Sequence, residues 1–320
     1  MQKNIAKLIT TIKTEANTKD LTAFVFIGYF LLHTFKNELI HKGVKEKDMY
    51  KYLKLDVLAR ENSNYMQNVA FQGFLESVDY ELDVWKSVSD SFHKNVLTNW
   101  NILGLQTLKK EFKKNKNGVE RIFQEFLNID IDILSLMDIF EGLKATNKKL
   151  QDHFTPMDLA SLISKIVLDG NTTIGAKDTI KIYDPTCGIG RLFYPIFIEL
   201  REKYPAKTIK ILGMDLYEEY AVFTQSLYSL INLNDTHIFI GNSLLADPFN
   251  GVKFDIPIAN PPFGLKDYGI QTKMELLKFE DTINSYKRDH LSPSLKKIYD
   301  KAPLISEQKY LSIKNDFRAA

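Results

Sequence analysis

The residues with the strongest chemical character lie in one short turn, Asn260-Pro261-Pro262-Phe263. The side-chain carbonyl of Asn260 can accept a hydrogen bond from an exocyclic amino group, and the backbone carbonyl of Pro261 can accept a second one. Two such bonds would turn the nitrogen lone pair towards an electrophile such as a sulfonium methyl, where alignment is the main requirement. The prolines restrict the turn, and Phe263 offers a face for a stacked base. Alone, Asn-Pro-Pro is more often a rigid turn after a strand.

A second group lies in a glycine-containing turn at residues 184–192, Asp-Pro-Thr-Cys-Gly-Ile-Gly-Arg-Leu. Gly188 and Gly190 permit backbone conformations closed to other residues, and the helix start after them offers free N–H groups. Asp215 ends a later apolar run, where its carboxylate can accept hydrogen bonds from both hydroxyls of a ribose. The third glycine of a dinucleotide-binding G-x-G-x-x-G turn is missing. S-adenosylmethionine, with its ribose, adenine and charged amino acid, fits this turn and acidic strand end.

These groups need a sheet that brings them to one edge. Short β-favouring runs alternate with helical patterns along the second half of the chain. The runs lie at residues 180–183, 209–212, 237–240 and 254–259, and the helical patterns lie at residues 192–204 and 218–231. This alternation predicts a mostly parallel α/β sheet, whose ligands bind at the carboxyl ends of the strands. The glycine turn, Asp215 and Asn260 then follow the first, second and fourth strands, an order that favours a methyltransferase.

The first half of the chain has a different pattern. Up to residue 150 it contains no proline, and its apolar residues recur at three- and four-residue spacing, which predicts helices. We therefore expect an all-helical domain at residues 1–149 and a methyltransferase domain at residues 150–320. The apolar stretch at residues 21–35 follows a candidate N-cap, Asp20, and is shorter than the roughly 20 residues that a bilayer crossing needs. It is interpreted as a buried helix.

Composition places the chain among globular proteins, with 44% hydrophobic and 26% charged residues. The net charge of +2 is too small to identify a nucleic-acid binder. A single cysteine, Cys187, excludes an internal disulfide and suits a cytoplasmic protein, and the N-terminus lacks the pattern of a secretory signal. The six histidines have no paired metal spacing, so no metal is implied.

Taken together, the motifs resemble the amino-methyltransferases with an (Asn/Asp)-Pro-Pro-(Tyr/Phe) motif, and among them the modification subunits of type I restriction systems. Residues 184–192 resemble the cofactor loop of that family, and residues 254–264 resemble its strand ending in Asn-Pro-Pro-Phe-Gly. Residues 153–156, His-Phe-Thr-Pro, resemble the segment that closes over the methionine part of the cofactor. The helical first half is similar to the family's N-terminal helical domain.

This resemblance implies a site-specific, adenine-specific DNA methyltransferase that uses S-adenosylmethionine as its cofactor. The implied partners are double-stranded DNA, a specificity subunit and, in the full type I complex, a restriction subunit, with no membrane. The catalytic residues would be Asn260, Pro261, Pro262 and Phe263. The cofactor-binding residues would be His153, Phe154, Thr155, Pro156, Asp184, Gly188, Gly190, Asp215, Asn242 and Ser243.

Four features depart from the family pattern. Asn242 stands where an aspartate usually accepts a hydrogen bond from the adenine amino group of the cofactor, and Pro257 lies inside the fourth strand, where it cannot donate to the sheet. Arg191 replaces a loop glycine and is interpreted as pointing to solvent. Sixty residues follow Asn260, too few for the remaining strands of the family's seven-stranded sheet. The expected fold is therefore an incomplete Rossmann-like domain in a chain that is truncated at its C-terminal side.

Two other functions stay open. Asn-Pro-Pro motifs also serve methyltransferases that act on the amino groups of protein glutamine or RNA, although the Phe-Thr-Pro segment and the long helical half favour DNA. The other alternative is a non-catalytic, truncated fragment that assembles with partners. The missing strands favour that alternative.

Overall fold

The computed structural model describes residues 2–55, 104–144, 154–171, 173–232, 235–243, 248–249 and 251–261. The α-helices of these residues are α1 (Gln2–Glu15), α2 (Val25–His41), α3 (Met49–Tyr52), α4 (Leu105–Lys114), α5 (Lys116–Leu127), α6 (Ile133–Lys144), α7 (Met157–Gly170), α8 (Phe193–Lys203) and α9 (Glu218–Asn232). The strands are β1 (Thr179–Asp184), β2 (Thr208–Asp215), β3 (Thr236–Ile240) and β4 (Ile256–Pro257).

The predicted buried helix at residues 21–35 is confirmed as α2, which is preceded by a 3-10 turn at Leu21–Phe24. The N-cap interaction expected at Asp20 is absent, because its carboxylate accepts a hydrogen bond from the Thr22 hydroxyl at 3.0 Å rather than from a backbone N–H. Helices α5 and α6 pack against α2, and α1 packs against α5 and α6. Within the described ranges, no helix combines the length and apolar character required for a membrane span.

The four strands form one parallel sheet in the order β3-β2-β1-β4. In its register Ile182 pairs with Ile211 across β1 and β2, and Asp215 pairs with Ile240 across β2 and β3. Parallel strands require crossovers, and α8 and α9 provide them between β1, β2 and β3. The predicted α/β class, with helices around a parallel sheet, is confirmed.

Strand β4 is shorter than the predicted run at residues 254–259. The backbone N–H groups of Asp255 and Ile258 donate to the carbonyls of Lys181 and Tyr183, at 2.9 and 2.8 Å. The two donors are three residues apart along the chain, but their two acceptors on β1 are only two residues apart. The hydrogen-bond ladder therefore passes over Pro257, which has no N–H group. The proline therefore limits the regular strand to Ile256–Pro257 while leaving the following chain attached to β1.

Helix α9 connects the sheet to the helical half. It packs against β2 and β3 on one side and α2 on the other, so every residue from Tyr220 to Asn232 is buried. The rings of Phe140 on α6 and Phe223 on α9 stack at 4.2 Å between centroids. A continuous apolar core therefore runs from the first helix to the sheet. The boundary predicted between residues 149 and 150 lies outside the described residues and stays a prediction.

Candidate functional site

The glycine turn follows β1 directly, at the carboxyl edge of the sheet. Asp184 is the last residue of β1 and is 1% exposed. One oxygen of its carboxylate accepts hydrogen bonds from the backbone N–H and the hydroxyl of Thr186, at 2.8 and 3.3 Å. The bond to the N–H two residues ahead is a local turn that an aspartate side chain favours. It directs the chain away from the strand and starts the loop.

Gly188 and Gly190 both adopt positive φ angles, of +53° and +81°, where glycine avoids the cost other residues pay. A Cβ on Gly190 would lie 2.7 Å from the Tyr228 ring and 2.8 Å from Thr224, whereas one on Gly188 would meet nothing within 4 Å. The Thr224 and Tyr228 hydroxyls of α9 donate to the Gly188 and Gly190 carbonyls at 2.7 and 2.6 Å. These contacts hold the loop against α9, and open space remains beside Gly188.

Fewer loop N–H groups are available than the sequence predicts. Gly188 donates its N–H to the Asp215 carboxylate at 2.8 Å. The N–H groups of Gly190 and Phe193 donate to loop carbonyls at 2.8 and 3.1 Å. The expectation of free N–H groups at the helix start is therefore wrong for Phe193, the first residue of α8, and the N–H groups of Gly188 and Gly190 in the loop are also bonded.

Asp215 ends β2 and lies beside the glycine turn. Its two carboxylate oxygens accept hydrogen bonds from the N–H groups of Gly188 and Tyr217, at 2.8 and 2.9 Å, and the residue is 7% exposed. Asp215 therefore joins the loop after β1 to the loop after β2.

Three apolar side chains near Asp215 were not singled out in the sequence. Leu216 and Tyr217 follow it and are 44% and 42% exposed, and Ile240, its partner in the sheet register, is 44% exposed. Exposed apolar groups in one place commonly mark a binding surface. The run Asp-Leu-Tyr at a strand end was the signal that could have revealed them. Together they offer an apolar surface for a planar ring beside the carboxylate.

The end of β3 reaches the same edge. The N–H of Gly241 donates to the Asp215 backbone carbonyl at 2.9 Å. The next two residues, Asn242 and Ser243, are half-buried. Two of the predicted cofactor residues thus follow a strand end that is bonded to Asp215.

The Phe-Thr-Pro segment meets the end of β4. The Asn260 side-chain NH2 donates to the Thr155 hydroxyl at 2.9 Å, and the Phe154 ring contacts the Tyr220 ring edge-to-face at 5.7 Å. Pro156 is exposed and immediately precedes α7, and Pro261 is also exposed. The segment therefore adjoins the predicted base-holding asparagine. The remaining predicted site residues lie outside the described residues: His153, Pro262 and Phe263.

A small cavity of about 50 Å³ lies between these parts. Its walls include Thr155, Asp184, Gly188, Arg191 and Asn260. This volume holds only one or two water molecules, so it can correspond to the innermost part of a ligand site but not to the whole. A larger cleft of about 210 Å³ lies at the opposite edge of the sheet. We favour the small cavity, because parallel α/β sheets bind ligands at the carboxyl ends of their strands.

Arg191 does not point to solvent, so that interpretation was wrong. It is 8% exposed, and its Nη2 atom lies 2.6 Å from both Asp138 Oδ1 and Glu141 Oε2 of α6. A buried guanidinium needs compensating charge, and the two carboxylates supply it. The side chain therefore ties the loop after β1 to the helical half.

Asp184 is a buried carboxyl group in the cavity wall. Burial raises the pKa of Asp184 to about 7, its hydrogen bonds from Thr186 act in the opposite direction, and the neighbouring Asp215 raises the pKa further. A positive ligand group beside Asp184 would offset the cost of ionising it. S-adenosylmethionine carries a sulfonium and an ammonium group, so these residues fit that cofactor.

The family model described as N-6 DNA Methylase matches residues 131–297, just over half of the chain. The chain belongs to the N-6 DNA methylase family. The match covers the glycine turn, Asp215 and the Asn-Pro-Pro-Phe turn. The family assignment made from these motifs is confirmed.

A curated relative of the chain is a methylase subunit. The type I restriction enzyme MjaVIII methylase subunit of Methanocaldococcus jannaschii is 26% identical over 311 residues, covering 84% of this chain and 49% of the relative. The chain thus spans about half the length of that curated relative.

Two solved structures resemble the chain in fold. One is the type I restriction-modification system methyltransferase subunit from Streptococcus thermophilus, with a TM-score of 0.51 and 17% identity over 83% of this chain and 63% of that one. The other is a modification subunit assigned to a type I restriction enzyme from Vibrio vulnificus, with a TM-score of 0.50 and 15% identity over 87% of this chain and 63% of that one. At such identities the likeness concerns the fold alone.

Proposed function

We propose that this chain is an adenine-specific DNA methyltransferase, the modification subunit of a type I restriction system, which transfers methyl from S-adenosylmethionine to the N6 amino group of adenine. The observation that carries the proposal is the shared cavity of Asn260, Thr155, Asp184 and Gly188. It unites the motif that would hold an amino group with the motif that would hold a cationic cofactor. The similarity to type I methylase subunits supports the choice of DNA and of a specificity subunit as partners.

The chain's own residues would bind and orient the two reactants. Asn260 would accept a hydrogen bond from the adenine amino group through its side-chain oxygen, and Pro261 would accept another through its backbone carbonyl. Phe263 would stack on the base after it leaves the duplex. Two acceptors on one nitrogen direct its lone pair away from them, so that alignment supplies much of the rate.

The cofactor residues would surround a ligand with two positive groups. S-adenosylmethionine supplies a methyl group on a sulfonium sulfur. Asp184 would face the amino-acid part, Asp215 would accept hydrogen bonds from the ribose hydroxyls, and Asn242 and Ser243 would lie near the adenine. The open space beside Gly188 leaves room for the ligand at the backbone. His153, Phe154, Thr155 and Pro156 would close over the methionine part.

The test is methyl transfer from tritiated S-adenosylmethionine to duplex DNA, by the full chain alone and with a type I specificity subunit. Label should enter adenine, and Asn260→Ala should lower the rate by about 100-fold or more, the loss typical of removing one oriented hydrogen-bonding group. Asn171→Ala is the matched control. Asn171 is half-buried and donates to the Asp255 carbonyl at the amino end of β4, so this variant should retain activity.

The same assay separates the alternatives. Label that enters RNA or a glutamine-containing peptide instead of DNA would favour the other amino-methyltransferases. Cofactor binding without transfer to any substrate would favour an assembly fragment. Equal rates for the wild type and Asn260→Ala would contradict the proposed role of the Asn-Pro-Pro-Phe turn.

A further inference from the structure

The contact between Thr155 and Asn260 joins two motifs that are 105 residues apart. Thr155 is 8% exposed, and its hydroxyl accepts the hydrogen bond from the Asn260 amide at 2.9 Å. The family resemblance assigns Thr155 to the cofactor. The structure gives its hydroxyl a partner in the base-holding turn instead.

We propose that Thr155 is a positioning residue that orients the Asn260 amide for the adenine amino group. This inference deepens the proposed function and rests on it. The two ends of a carboxamide differ, since the oxygen accepts hydrogen bonds and the nitrogen donates them. With its NH2 bonded to Thr155, Asn260 turns its oxygen to the opposite side. A reversed amide would place the Asn260 NH2, a hydrogen-bond donor, opposite the adenine amino group, which is also a donor.

Asn260 needs such a partner, because the terminal torsion of an asparagine side chain is broad and roughly two-fold. The following Pro261 restricts the backbone of Asn260 but leaves this torsion free. Among the described residues, the Thr155 hydroxyl is the hydrogen-bond partner of the amide. A hydroxyl can donate or accept, so this bond fixes the plane of the amide, and in the observed orientation the NH2 faces Thr155 and the oxygen faces away.

Thr155 is itself held on both sides. The Phe154 ring packs against Tyr220 of α9, and the Pro156 carbonyl accepts the N–H of Ala160 at 3.0 Å in the first turn of α7. The same short segment thus forms a wall of the cavity and supports the amide. The position of this segment therefore determines both the cavity wall and the orientation of the Asn260 amide.

The test uses Thr155→Val, which keeps the side-chain shape and removes the hydroxyl, and Thr155→Ser, which restores it. Cofactor affinity is measured by calorimetry, and the methyl-transfer rate by single turnover at saturating cofactor, with the partner subunit that supports wild-type activity. Thr155→Val should lower the rate by about 10- to 100-fold, the range expected for a misoriented reacting group, with a Kd within about twofold of wild type. Thr155→Ser should recover most of the rate.

A cofactor-only role gives the opposite pattern, in which Thr155→Val weakens the Kd and leaves the saturated rate unchanged. That result would overturn the inference. A second measurement does not need turnover: hydrogen exchange of the Asn260 side-chain NH2, observed by NMR on asparagine-labelled chain and assigned with Asn260→Asp. Exchange should be slow in the wild type and Thr155→Ser and faster in Thr155→Val, and equal exchange in all three would also overturn it.

Failure of the proposed function looks different. If the wild type transfers no methyl, or if Asn260→Ala transfers it equally well, the methyltransferase assignment fails and the positioning role falls with it. If Asn260→Ala loses activity while Thr155→Val matches the wild type in rate and exchange, only the role of Thr155 is refuted.

Discussion

The ion pairs of Arg191 lead to a prediction with a definite asymmetry. The Arg191 side chain is 9% exposed, whereas those of Asp138 and Glu141 are 39% and 38% exposed. The Nε atom of Arg191 is buried and has no hydrogen-bond partner among the described residues. Removing the two carboxylates and removing the arginine should therefore lower the free energy of unfolding by different amounts.

The double variant Asp138→Asn/Glu141→Gln leaves a buried guanidinium without compensating charge, which costs about 3–5 kcal/mol. Arg191→Met leaves two carboxylates that water can reach and replaces the arginine stem with another apolar chain. We expect that variant to cost about 1–2 kcal/mol. The double variant should therefore be less stable than Arg191→Met by about 2–3 kcal/mol, the difference between the midpoints of these two ranges.

Urea unfolding of the three proteins measures this difference. The matched control is the ion pair of Arg121 with Glu15, which has the same 2.6 Å separation but an arginine side chain that is 62% exposed. Arg121→Met and Glu15→Gln should each cost less than about 1 kcal/mol. If Arg191→Met were as destabilising as the double variant, or more so, the argument from unequal burial would be refuted.

Further predictions concern the loop after β1. Gly190→Ala should lower the free energy of unfolding by about 3 kcal/mol, because the new side chain combines a positive φ with overlap with Tyr228 and Thr224. Gly188→Ala should lower it by only about 1 kcal/mol, because its positive φ is the only cost. Equal losses of stability in urea unfolding would contradict this. Tyr228→Phe should cost about 1–2 kcal/mol, because it leaves the buried Gly190 carbonyl without its partner. Because burial raises the pKa of Asp184 to about 7, its contribution to stability should be fully present below about pH 4 and lost as the pH rises through 7, by on the order of 4 kcal/mol. Asp184→Asn should remove that part of the pH dependence between about pH 4 and 7, and an unchanged slope would show that Asp184 does not cause it.

Much of the sheet could be predicted from the sequence because each strand has a local pattern. Runs of β-favouring residues identified β1, β2 and β3 to within a few residues, and the glycine turn located the loop after β1. Strand β4 was predicted too long, because the effect of Pro257 depends on which N–H groups of its neighbours reach β1. That pairing is a tertiary property.

The candidate site was predictable as a set of motifs but not as a set of contacts. Parallel strands bring their carboxyl ends to one edge, so the approach of Asp215 to the glycine turn followed from the expected fold. The Arg191 interpretation was wrong because its partners lie some 50 residues earlier, on α6. No local pattern indicates that a loop arginine will meet two carboxylates there. The bond between Thr155 and Asn260 was missed for the same reason.

Calorimetric titration of the full chain with S-adenosylmethionine measures whether the carboxyl edge of this sheet binds the cofactor. We expect saturable binding, weakened at least about 100-fold by Asp215→Ala, since two hydrogen bonds to a charged group would be lost. Asp178→Ala, an exposed aspartate just before β1, should bind within about twofold of wild type. Absence of binding by a chain shown to be folded by circular dichroism, or undiminished binding by Asp215→Ala, would show that this edge of the sheet is not a site for S-adenosylmethionine.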